Sequence, residues 1–246
     1  MGLYGRTVLR PLISRSAATI VCVDKWTYEN ALSLFATQQN TVVIPVSVEL
    51  DRMKGGNGEK IRNRLGIVKG PLILSLGHVV PLRDRIRLVH ALPLLTQKFP
   101  DLRVVIVGMV KDSRFIALAE RLEVSRFISL IGPVPHEQIR DYLAAADVET
   151  HDLDGRGLGI TSVEAMDAEV PIVAWATDDN FPQYRLRSYG PSGLIDDGEP
   201  STIAQKIEQL ITDEDFRRTA IESQTQLVRD VYSVESITRQ YLQLLA

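Results

Sequence analysis

The sequence predicts an α/β protein built on a doubly wound parallel sheet, with a smaller strand–helix unit ahead of it. Three observations carry that expectation. Short β-branched runs alternate with amphipathic helical segments from about residue 70 onward. The runs are apolar almost throughout, as strands covered on both faces are, and do not alternate like half-exposed antiparallel strands. A glycine-rich turn, Gly155-Arg156-Gly157-Leu158-Gly159, then feeds straight into a helical pattern. Sheets of this kind bind their ligands at such junctions.

In chain order, residues 18–23 read as a strand, 26–35 as a helix and 41–45 as a second strand. The glycine-rich residues 54–58 are expected to form a mobile loop. Residues 71–77 are a buried strand ending in glycine. Residues 85–98 carry apolar side chains at Ile86, Leu88, Val89, Leu92 and Leu95, a helical spacing that Pro93 should bend or interrupt. Strand 103–108, helix 115–122 and strand 127–132 follow. A helix over 135–146 is opened by Pro135, which suits a first helical position. Residues 148–151 form a further strand and 171–175 a clear one. Residues 201–245 read as almost wholly helical, with Ser201 and Ser233 as N-caps. The expected organisation is a first unit over 1–45, a ligand-binding domain over 46–226, and a C-terminal helix over 227–246 that crosses back towards the first unit.

Composition narrows the function classes. Net charge −3 and a pI near 5.9 argue against nucleic-acid binding driven by bulk charge. A single cysteine, Cys22, within an apolar run leaves no disulfide framework or cysteine-rich metal site, so a reduced, cytoplasmic setting is expected. The early residues show neither a signal peptide nor a membrane span, and Gly2 lacks a myristoylation context.

The turn at 155–159 specifies chemistry. Its backbone N–H groups sit at the positive end of the following helix, a ready site for phosphate. Glu164, about one turn inside, can reach hydroxyls on whatever carries that phosphate. A phosphorylated, hydroxyl-rich ligand such as a nucleotide-sugar fits. Taken singly, each feature also has a plainer reading: a tight connection for the turn, a solvated helix start for Arg83, Arg85 and Arg87, and surface or capping roles for His90 and His136. Asp84 is expected to pair with Arg85 or Arg87, which leaves Arg83 alone as the phosphate ligand. His151, Asp152 and Asp154 lie too close along one segment to make an independent metal site. Ser162 lacks the turn of a hydrolase nucleophile.

Four landmarks in order resemble the donor-binding half of retaining glycosyltransferases of family 4 (group 1), which have the Rossmann-like GT-B fold. Residues 43–51 look like the inter-domain linker, and Leu76-Gly77-His78-Val79-Val80-Pro81-Leu82-Arg83 like the loop that supplies cations to the diphosphate. Gly132-Pro133-Val134-Pro135 is similar to the turn beside the nucleobase, and Gly157-Leu158-Gly159 through Glu164-Ala165-Met166 matches the signature.

The resemblance implies a hexosyltransferase-type enzyme of carbohydrate biosynthesis that needs neither metal nor cofactor and takes a nucleotide-diphosphate sugar as donor. It places Gly77, His78, Arg83 and the amides of Gly157, Leu158, Gly159 and Ile160 at the diphosphate. Glu164 falls at the ribose and Val134 at the base, with Arg83 and Glu164 carrying the catalytic roles. One departure is that the first of the two signature glutamates is replaced by Arg156, which puts the sugar contact in question; Arg156 is a surface side chain or a cation for the diphosphate or a charged sugar. His78 and Arg83 stand where the family has arginine and lysine. Only about 40 residues precede the linker, so a fragment, a split gene product or a truncated chain is expected, active with a separate acceptor domain or as a homo-oligomer and at most peripherally on a membrane. A non-catalytic nucleotide-sugar-binding module is the alternative, and a GT-B epimerase a third.

Overall fold

A computed structural model describes residues 5–15, 18–81, 83, 85–180 and 185–245. The first unit comprises helix α1 (Arg10–Arg15), strand β1 (Ile20–Cys22), helix α2 (Lys25–Leu34) and strand β2 (Thr41–Val43), with β1 and β2 paired in parallel. Asp24 starts α2 through a capping box, its carboxylate accepting the Thr27 amide at 2.6 Å.

The larger domain opens with α3 (Gly58–Arg64), β3 (Leu72–Leu76), α4 (Ile86–Lys98), β4 (Arg103–Val107), α5 (Arg114–Arg121) and β5 (Ile128–Gly132). It continues through α6 (Ile139–Ala145), β6 (Val148–Glu149), α7 (Ile160–Asp167), β7 (Ala174–Trp175), β8 (Leu194–Ile195), α8 (Pro200–Thr212), α9 (Glu214–Leu227) and α10 (Val234–Gln243). The four central strands run parallel in the order β5-β4-β3-β6, and β7 pairs with β8. The reversal of order beside β3 is where a crevice opens at the carboxyl ends of the strands.

Strand side chains divide between two cores, as the apolar runs require. Leu72, Leu74, Leu76, Val105 and Val107 pack on one face with α6, α7 and α9 residues such as Tyr142, Val163 and Leu227. Ile73, Val104 and Ile106 pack on the other with Leu88, Leu92, Phe115 and Ile207. Both faces are covered, which is the doubly wound arrangement.

Several local expectations change. Pro93 does not interrupt α4, whose second half is held to the sheet by the buried Leu92 and Leu95. Ser201 does not cap α8: the cap is Glu199, with Pro200 in the first turn. Ser233 does cap α10, its hydroxyl accepting the Ser236 amide at 3.2 Å. The Val48–Ser233 bridge ties the segment after β2 to the start of α10.

The glycine-rich 54–58 segment packs against α6 at Gly56 and Gly58, which the expectation of a mobile loop did not foresee, while Gly55 and Asn57 are exposed. A Cβ on Gly56 would lie 2.0 Å from the Arg140 carbonyl oxygen, and one on Gly58 would lie 2.2 Å from that of Ala144. These glycines let α3 meet the backbone of α6. Gly58→Ala should therefore cost about 1–3 kcal/mol of folding stability, measured by urea unfolding; a wild-type midpoint would refute this packing.

Candidate functional site

The glycine-rich turn leads into α7, and the site forms along that helix. Gly159 is its N-cap residue, in an extended conformation. A Cβ there would meet Asp152 Oδ2 at 3.2 Å and Arg83 Nη1 at 3.3 Å, so the absent side chain admits both groups to the helix start. The predicted diphosphate-loop cation and the predicted phosphate turn are thus brought together. Arg83 is positioned by its amide, which donates to Val80 O at 2.8 Å. Gly77, with φ of +98°, turns the chain out of β3 into this loop in a conformation that favours glycine.

The Gly159 amide is not open to a ligand, which corrects its expected role. It donates to Asp152 Oδ2 at 2.6 Å, and Ser162 Oγ donates to the same oxygen at 2.8 Å. Asp152 is a built-in anion at the positive end of α7. The amides of Ile160 and Thr161, next along the first turn, take no partner among the described residues.

Beneath the turn lies a cluster of ionisable groups almost closed to solvent: Glu149 is 0% exposed, His151 3%, Asp152 2% and Arg85 1%. His151 Nδ1 is 2.7 Å from Glu149 Oε1, and its Nε2 lies 2.9 Å from Thr161 Oγ1 and 3.3 Å from Asp152 Oδ1. Burial alone would push the imidazole pKa down; Asp152 and Glu149 outweigh it, so the pKa is raised above its ordinary value. Arg85 donates to the Arg83, Leu76 and Gly77 carbonyl oxygens. The solvated-helix-start reading of Arg85 is therefore wrong, whereas Arg87 is exposed as that reading expects. Arg87 stacks 5.0 Å over Trp175 and bonds the Gly198 carbonyl oxygen at 2.9 Å. The expected Asp84 pairing falls outside the described residues.

Glu164 lies four residues after Ile160, on the same face of α7. Burial raises its carboxyl pKa, offset in part by His136 and Arg52. His136 Nε2 is 3.3 Å from Glu164 Oε1. His136 opens the short helical turn (His136–Gln138) after Val134 and Pro135, so the expected base turn and ribose acid are brought together as well. The surface or capping reading of His136 missed this pair, which spans 28 positions and leaves no sequence pattern. His78 stands apart from this pair: its Nδ1 accepts the Met109 amide at 3.0 Å and pins its own loop.

A cavity of about 210 Å³ opens beside Arg83, lined also by Pro81, Arg87, His151, Asp154 and Arg156. Glu164 does not line it. Arg156 stacks 4.9 Å over Trp26 of α2, joining the signature loop to the first unit. Among the described residues no cluster of His, Cys, Asp or Glu is arranged to hold a metal, and no helix is long and apolar enough to cross a membrane.

This fold is that of a Rossmann-like GT-B domain. It superimposes on Anabaena HepE in complex with UDP with a TM-score of 0.79 at 19% identity, over 96% of this chain and 65% of that one. The C-terminal domain of the group 1 glycosyltransferase LpcC from Francisella tularensis matches at 0.62 and 18% identity, over 76% of this chain and all of its own. Residues 57–227 match the family described as glycosyl transferases group 1, and the chain belongs to that family. Among curated relatives, the GDP-mannose-dependent alpha-(1-6)-phosphatidylinositol monomannoside mannosyltransferase of Mycolicibacterium smegmatis is 28% identical over 88% of this chain and 55% of its own length. The D-inositol 3-phosphate glycosyltransferase of Corynebacterium urealyticum is 30% identical over 76% of this chain and 45% of its own. The chain thus spans about half the length of the curated relatives it matches.

Proposed function

We propose that this chain is the donor-binding half of a glycosyltransferase that moves a sugar from a nucleotide-diphosphate sugar to an acceptor, with retention of anomeric configuration. The observation that carries this reading is the convergence on α7. Arg83 stands at its start, and Glu164, beside the Gly132–Val134 turn, lies one turn further along. In this reading the diphosphate lies against the Ile160 and Thr161 amides and the Arg83 guanidinium. Glu164 takes the ribose hydroxyls in place of His136, and the backbone at Val134 meets the base.

Catalysis is then electrostatic. Charge gathers on the departing diphosphate as the glycosidic bond breaks, and fixed donors stabilise it; removing one such donor typically costs roughly 100–1,000-fold in rate. Arg83 and the helix dipole supply this without a metal or cofactor. The relative acting on GDP-mannose and the neighbour holding UDP support a nucleotide-sugar donor. The setting proposed is cytoplasmic, and the acceptor side falls to a separate domain, another chain or a second copy.

A non-catalytic nucleotide-sugar-binding module is favoured by one observation: Arg156, at a position the family fills with glutamate, stacks on Trp26.

Thermal denaturation with UDP, GDP, ADP and their sugar conjugates tests the donor site. One of them at a hundred times its dissociation constant should add about 2.7 kcal/mol of stability. Glu164→Ala should weaken that ligand about tenfold or more, as loss of a charged hydrogen bond does. No stabilisation by any nucleotide would refute the donor site, and an unchanged affinity in Glu164→Ala would refute the ribose contact.

A further inference from the structure

Taking the site as a donor site, we propose that Asp154 accepts a hydrogen bond from a hydroxyl of the donor's glycosyl group, and so makes the site select sugar-linked over bare diphosphates. The cavity of about 210 Å³ beside Arg83 has room for about seven waters at ~30 Å³ each, the scale of one sugar ring rather than a whole nucleotide. Its walls are cationic: Arg83, Arg87 and Arg156 line it, and Asp154 is the one carboxylate that does so among the described residues. Arg87 and Arg156 are held in place by stacking on Trp175 and Trp26.

The two oxygens of Asp154 differ. Oδ1 accepts the Arg156 amide at 3.1 Å. Oδ2 is buried with no hydrogen-bond partner; Arg156 Nε forms an ion pair with it at 3.6 Å, beyond hydrogen-bond reach. A buried acceptor without a donor is uncommon in a folded protein and points to a partner supplied from outside. Burial also pushes the Asp154 carboxyl pKa up, consistent with an oxygen shielded from water.

These features suit one ligand chemistry. A bare diphosphate drawn in by the three guanidinium groups meets the Asp154 carboxylate as a like charge. A diphosphate that carries a sugar brings a hydroxyl with it, and that hydroxyl converts the repulsion into a charge-assisted hydrogen bond. The acid therefore weakens one class of ligand and strengthens the other.

Calorimetric titration of the 246-residue chain with the pairs UDP and UDP-glucose, and GDP and GDP-mannose, tests this. In at least one pair the wild type should hold the sugar conjugate more tightly than the diphosphate. Asp154→Ala should bind that conjugate about tenfold more weakly while binding its diphosphate as well as, or a few-fold better than, the wild type. Asp154→Asn keeps an acceptor for the Arg156 amide, so it should gain on the diphosphate in the same way and lose less on the conjugate. Equal losses on both ligands, an unchanged affinity for the conjugate, or a wild type that does not distinguish the two would overturn the assignment. Failure of the wild type to bind any of the four would overturn the donor-site reading itself, and this assignment with it.

Discussion

Replacing His151 by alanine is expected to cost about 3–5 kcal/mol of folding stability, the largest single-residue effect considered for this protein. The imidazole is packed between Glu149 and Asp152, all three almost closed to water. Its removal leaves two buried carboxylates facing a gap with Arg85 as the remaining cation nearby. A buried ion cluster adds little net stability as a whole, because desolvation consumes much of the attraction. Deleting one member is costly because the others stay behind unpaired. The pH dependence has a definite sign. The folded-state pKa of His151 is raised above its ordinary 6.5, so its contribution is complete below about that pH. It is lost as pH rises through the folded value. Melting temperature should decline across that window in the wild type and lose this component in His151→Gln. A wild-type melting temperature for His151→Ala would show that the imidazole does not hold the two buried acids together as described.

The second large effect concerns ligand rather than fold. Arg83→Ala is expected to weaken nucleoside diphosphate binding by about 10–150-fold, the range for losing a hydrogen bond from a charged group worth about 1.5–3 kcal/mol. Arg83 is exposed and packs at the start of α7 through its guanidinium end, so stability should change little. Arg83→Lys should recover part of the loss, because a lysine keeps the charge but not the planar fork. Calorimetric titration of the three proteins checks this, and equal affinities would remove Arg83 from the site.

The central strands and the longer helices were legible because the strands are largely apolar runs, whereas β8, α1 and α3 carried no such signal and were not anticipated. Leu72 to Leu76 and Val104 to Val107 send side chains into two cores and leave none for solvent. The glycine turn and Glu164 were legible for a similar local reason, since a turn–helix junction is written in consecutive residues.

What sequence could not convey is contact between distant segments. The glycines at 56 and 58 have the composition of a flexible loop, and only the approach of α6 distinguishes the two. Arg85 sits in a run of charges and is nonetheless buried, because the carbonyl ends of β3 and the following loop offer it three acceptors. The Glu149–His151 pair left a readable trace: β6 ends at Glu149 and His151 follows two residues on, the spacing that puts side chains on one face of an extended chain. The role of Asp152 left none, since a carboxylate before a glycine turn looks the same whether it faces water or caps the helix.

A crystal structure of the chain with UDP or GDP bound tests the central claim most directly. The diphosphate should lie within hydrogen-bond reach of Arg83 and of the Ile160 and Thr161 amides, with the ribose hydroxyls on Glu164 and Asp152 still bonded to the Gly159 amide. A nucleotide seated away from α7, or one that contacts neither Arg83 nor Glu164, would contradict it.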